Sequence, residues 1–80
     1  MYYIILKVSH VENGKVVTYS DLHKKEYPNL TKAMEGLDEI EAELDNYTIN
    51  RYPHKIVASP LDDNTRKYFP SLSAEIVHTI

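Results

Sequence analysis

The hydrophobic pattern of this chain has one dominant period. Leu30, Ala33, Leu37, Ile40, Leu44 and Tyr47 recur at alternating steps of three and four, the spacing that aligns side chains on one face of a helix. A helix is therefore expected over residues 29–47, with that stripe buried. Pro28 biases Tyr27 away from helical backbone and fixes the start. Asn29 is the expected N-cap, with Thr31 as the alternative, and Tyr27 would lie as an apolar lid over Leu30 or Ala33. Gly36 falls at the edge of the stripe. It costs about 1 kcal/mol relative to alanine in a helix, and its missing side chain admits the close approach of a strand or another chain. Asn46 is expected to close the helix in place of glycine.

Elsewhere the period is two. Residues 2–11 alternate, with Ile4, Leu6 and Val8 on one side and Tyr3, Ile5, Lys7 and Ser9 on the other, which predicts a strand. Asn13-Gly14 separates it from a second β-rich run at 15–20 and predicts a two-residue type I′ hairpin. That turn pairs Val11 with Val16, Ser9 with Thr18 and Val8 with Tyr19. Val17 and Tyr19 then join Leu6 and Val8 on the face the helix is expected to cover. Residues 20–28 read as a connection, with the second strand able to extend through Leu22. Residues 47–50 and 54–59 read as extended segments broken at Pro53. Asp62 or Asp63 would cap a short helical turn over residues 66–69, ended by Pro70. A last strand over residues 73–80 places Ala74, Ile76 and His78 on one side.

These elements predict a single α+β domain over residues 1–80. It is an antiparallel sheet of about four strands with one amphipathic helix on one face, a ββαβ core at 2–59 followed by a turn and strand at 60–80. The sheet's other face would carry Tyr3, Ile5, Val11 and Val16. For a surface without a second helix that is apolar. The C-terminal segment would fold over it, or another chain would, as in a homodimer through the exposed face.

Composition narrows the function classes. Hydrophobic residues make up 42% of the chain and charged residues 26%, ordinary for a globular domain. The absence of cysteine rules out disulfides, thiolate metal sites and a cysteine nucleophile, and makes a cytoplasmic protein the simpler expectation. The apolar start at residues 1–6 is too short for a signal-peptide core, and no run approaches a membrane span. The net charge of −3 argues against direct nucleic-acid binding, which favours basic patches. His10, His23, His54 and His78 are scattered, with no His-x-His or His-Glu-x-x-His spacing. With Gly14 and Gly36 as the only glycines, no phosphate-binding loop can be built. No catalytic motif, metal site or cofactor site is predicted.

Two charge patterns remain. Glu35, Asp38, Glu39, Glu41, Glu43 and Asp45 are half of the chain's 12 acids, and all lie on or beside the predicted helix. A row of carboxylates about 5–6 Å apart can engage a basic groove of a partner, which marks Glu35, Asp38, Glu39, Glu43 and Asp45 as candidate contacts. The ordinary alternative is a solvated face that keeps a small domain soluble. The second pattern is Lys24, Lys25, Tyr27, Arg51, Tyr52 and Arg66 in the predicted loops, which together would suit a nucleotide-like ligand in a homo-oligomeric module; the ordinary alternative is that the basic residues are salt-bridge partners for nearby acids.

The run Tyr27-Pro28-Asn29-Leu30-Thr31-Lys32-Ala33, after an Asn-Gly hairpin and before Tyr47-x-Ile49, resembles a pattern in short accessory proteins of bacteriophages and mobile elements. The resemblance spans residues 2–58. It implies a class of compact viral host-takeover or anti-defence proteins, anti-CRISPR proteins among them, that act as inhibitors by protein–protein interaction. On that reading the partner is a host or defence protein with a basic surface, met in the host cytoplasm. No functional residue carries over.

Overall fold

The computed structural model describes residues 1–22 and 26–79. Strands β1 (Tyr2–Glu12) and β2 (Lys15–Leu22) form the expected hairpin. Asn13 and Gly14 have φ of 52° and 76°, both positive as a type I′ turn requires. Val11 faces Val16, Ser9 faces Thr18 and Val8 faces Tyr19.

Helix α1 (Leu30–Glu43) starts as its cap predicts. The Asn29 side chain accepts a hydrogen bond from the Lys32 backbone N–H at 2.9 Å, while Thr31 lies inside the first turn. The helix stops one turn short of Tyr47. Leu44 is the C-cap and still packs against the core. Asn46, at φ 64°, turns the backbone out of the helical path, so Tyr47 opens a strand instead of a further turn.

That strand, β3 (Tyr47–Tyr52), pairs with β4 (Lys55–Pro60). The break expected at Pro53 is the hairpin turn between them. A proline there forfeits no ladder hydrogen bond. Helix α2 (Asp63–Tyr68) follows, and its cap is Asp62 rather than Asp63. The Asp62 carboxylate accepts from the Thr65 hydroxyl at 2.8 Å and from the Thr65 N–H at 3.1 Å. These bonds, the hydroxyl's foremost, favour the ionised form and hold its pKa below the usual 3.8. β5 (Ser71–His78) completes the sheet.

The sheet has five antiparallel strands in the order β2-β1-β5-β4-β3, not about four, and two helices rather than one. The extra strand arises because residues 47–60 form a complete hairpin. The last strand lies in the middle: β5 pairs with β1 from Tyr2–His78 to Ser9–Ser71 and with β4 from Lys55–Glu75 to Ala58–Leu72. β5 is therefore integral to the core. Remove β5 and the β1–β2 and β3–β4 hairpins no longer meet.

Both helices cover the same face. Alternation and register place Ile4, Leu6, Ile56, Ala58, Ala74 and Ile76 there. Beneath α1, Ile4, Leu37 and Ile56 are fully buried together with Ala33 and Ala74. α1 does not reach the Val17–Tyr19 end of β2. That end lies beside α2, where Phe69 meets the His10 ring at 6.2 Å.

The C-terminal segment does not fold over the other face. Instead β4 and β5 supply that face with Ser59, Ser71, Ser73 and the Lys55–Glu75 pair, 3.9 Å apart. Tyr3, Ile5 and Val77 are half-buried by their neighbours, while Val16 and Leu22 on the same face are exposed; among the described residues no element of this chain forms a second layer over it. Among the described residues no helix is long and apolar enough to cross a membrane.

Candidate functional site

The acids of α1 divide into two flanks. On the β3 side, Arg51 reaches up from the edge strand to Asp38 at 3.0 Å and Glu41 at 3.4 Å. Its Nε also donates to the Tyr52 carbonyl at 3.1 Å, which fixes the guanidinium in place. The acids of that flank are paired from within the fold. Asp38, marked from sequence as a contact, belongs to it.

On the other flank Glu35, Glu39 and Glu43 follow one another at i,i+4 spacing, one turn apart and exposed. Lys32 pairs with Glu35 at 3.4 Å. Among the described residues, no ion pair reaches Glu39 or Glu43. Like charges at this spacing disfavour the helix slightly, so the ridge holds because the apolar stripe beneath it outweighs the repulsion. Asp45 is set apart. It lies in the turn after α1 and lines a separate surface pocket with Tyr47, Leu61 and Thr65.

Beside the ridge runs a shallow groove of about 340 Å³, lined by Tyr27, Pro28, Lys32, Glu35, Gly36 and Glu39. Its floor is built by an interlock. Tyr27 exchanges two backbone hydrogen bonds of 2.9 Å with Tyr2, which anchors it to the sheet edge. The hydroxyl end of its ring then lies against α1 where Gly36 has no side chain. A Cβ at Gly36 would stand 2.6 Å from Tyr27 Cζ and 2.9 Å from Cε1, closer than atoms can approach. The close approach expected at Gly36 is thus made by a residue of the same chain. Burial pushes the Tyr27 hydroxyl pKa up from 10.0, and the Glu39 charge adds to the effect.

The residues marked for a nucleotide-like ligand do not converge. Tyr27 is buried, with only 8% of its surface exposed. Arg51 is engaged under α1, whereas Tyr52 is exposed and, by strand alternation, on the opposite face. Arg66 clamps the β4–α2 connection: it donates to the carbonyls of Pro60 at 3.1 Å and Leu61 at 3.2 Å and pairs with Asp63 at 2.8 Å. Lys24 and Lys25 lie outside the described residues. Among the described residues no cluster of His, Asp and Glu has the arrangement to hold a metal ion.

Sequence reasoning assigned one residue of this site to the wrong role and missed another. The sequence marks Arg51 for the ligand set, with salt bridges to nearby acids as the ordinary alternative; the structure shows the latter, with partners set by tertiary packing. Pro28, read only as a helix boundary, also walls the groove. Compared with known proteins, the chain matches no family model, no curated protein and no solved structure.

Proposed function

We propose that this is a non-enzymatic binding protein that occludes a basic surface on a partner protein, with the Glu35–Glu39–Glu43 flank of α1 as its contact. One observation carries the reading. The fold spends Arg51 on the acids of one flank and leaves a ridge of glutamates on the other, beside a preformed groove. An arginine or lysine of the partner fits such a place: its aliphatic stem lies along Tyr27 and Pro28, and its charged end meets Glu35 and Glu39. A nucleic-acid-binding site on a host or defence protein is the kind of basic surface such a ridge would block, and the negative charge would also speed the encounter.

The test is capture from a bacterial lysate by the immobilised protein, with bound proteins identified by mass spectrometry. The wild type retains a basic partner at low salt and releases it at high salt. Glu39→Lys with Glu43→Lys, both exposed and outside the core, abolishes retention while leaving the circular dichroism spectrum unchanged. Equal capture by both proteins would sink the proposal.

A further inference from the structure

We infer that the free edge of β2 is a self-association surface: two copies of this chain pair their β2 strands antiparallel about a two-fold axis through Thr18, giving one continuous ten-stranded sheet. The inference rests on β2 and does not depend on the role of α1.

β2 is an outer strand of the sheet, eight residues long and without proline, and all of it except Val17 is exposed. Val16 at 64%, Tyr19 at 53% and Leu22 at 51% are among the most exposed large hydrophobic side chains of the molecule. The opposite edge, β3, has six residues, with Pro53 beside it and Arg51 turned into the helix acids. Natural sheets blunt their edges with such devices. β2 has none.

Parity decides which groups of β2 face outward. Tyr2 exchanges both backbone hydrogen bonds with Tyr27 on the β2 side of β1. The same alternation makes Leu6, Val8, His10 and Glu12 the residues that bond to β2, through Asp21, Tyr19, Val17 and Lys15. The N–H and C=O groups of Val16, Thr18 and Ser20 therefore point away from the sheet. Among the described residues no other backbone segment meets them.

Charge then selects the register. Centred on Thr18, a second β2 sets Lys15 opposite Asp21 at both ends and Val17 opposite Tyr19 at both inner positions. Thr18 meets its own copy through an outward, hydrogen-bonded pair. Centring on Val17 or on Tyr19 instead leaves Lys15 and Asp21 without each other as counterions. Only the Thr18 register uses both charges of the strand, and it buries the exposed Tyr19 ring against a β-branched neighbour. The axis is perpendicular to the sheet, so both copies keep their helices on one side. The two β5 strands, over which the α1 helices lie, stand five strand spacings apart, about 24 Å, which leaves room for both helices.

Sedimentation equilibrium and cysteine cross-linking test this. The wild type sediments at twice the 9.3 kDa chain mass. Thr18→Pro removes an outward N–H, as edge strands tolerate, along with the 3.0 Å hydroxyl bond to Ser9, and sediments as a folded monomer. Should Thr18→Pro unfold, Asp21→Lys alone weakens association and Lys15→Asp with Asp21→Lys restores it. In a chain without native cysteine, Thr18→Cys closes an intermolecular disulfide under mild oxidation, because a hydrogen-bonded pair holds the Cα atoms about 5.5 Å apart. Ser20→Cys, on the same outward row but four residues out of register with its copy, does not. A wild-type monomer, a dimer indifferent to the charge swap, or equal cross-linking at both positions overturns the inference.

Discussion

The two helices share one face of the sheet, yet what they do there differs sharply. Under α1 the face is closed. Ile4, Leu37 and Ile56 have no exposed surface, and the Tyr27 ring is locked against Gly36. Beside α2 the same face stays open: Phe69 remains 49% exposed and Tyr19 53%, and no residue of α2 itself is buried. What holds that end together is lateral, a His10–Tyr19 stack at 4.9 Å with Phe69 leaning on it and polar bonds from Asp62 and Arg66. The difference is one between a core that excludes water and a seam that merely joins neighbours. It implies that mutations of equal size will have unequal cost at the two ends.

The largest expected effect is at the closed end. Leu37→Ala should lower the free energy of unfolding by about 2–5 kcal/mol, the usual cost of emptying a sealed leucine site, measured by urea denaturation. In a domain this small that is much of the total stability. Gly36→Val should cost about 1–3 kcal/mol through overpacking against Tyr27. If its stability equalled the wild type's, the Tyr27 ring would not be fixed in place. At the open end Phe69→Ala should lose only about 1 kcal/mol, the scale of one aromatic contact. A loss as large as that of Leu37→Ala would erase the distinction between the ends.

The two ends should also separate by pH. Tyr27, at the α1 end, has its pKa raised above 10.0 in the fold. Its neutral form is favoured there, so this contribution is whole below pH 10 and is lost as the pH rises through the folded value. Asp62, at the α2 end, has its pKa lowered below 3.8. Its contribution is present above that value and fades as the pH falls through the folded one. Tyr27→Phe should therefore flatten the alkaline limb of a stability-versus-pH curve, and Asp62→Ala should remove part of the acid limb, each leaving the other limb intact.

How much of this was legible in the sequence follows the range of the interactions. The β1–β2 register was readable because Asn13-Gly14 fixes it locally, and the start of α1 because Pro28 and Asn29 sit together. The Asp62 cap was readable to within one residue. Strand order was not. Ser71, Ser73 and Glu75 give β5 the alternation of a half-exposed strand, which says nothing about whether it is central or marginal. That Arg51 pairs with acids was readable as the ordinary alternative, but not with which ones: rules for charges at i,i+4 cannot see a cation that arrives from the next strand. That pairing is what divides the acid row in two, so the candidate contact surface is narrower than composition suggested, Glu39 and Glu43 at its centre and Asp38 on the paired side.

The central position of β5 also sets a timetable. Tyr2 cannot find His78, nor β1 be joined to β4, until the chain has been made past residue 78. Before then there are two separate hairpins, each only marginally stable in water, and a helix whose apolar stripe spans a gap between them. The domain must therefore assemble in one late step governed by contacts between the ends of the chain, with the slow folding such topologies impose. A ribosome-bound fragment ending near Pro60 would hold every residue of the acidic ridge but lack Ala74, Ile76 and the strand that joins the two halves of the surface beneath it.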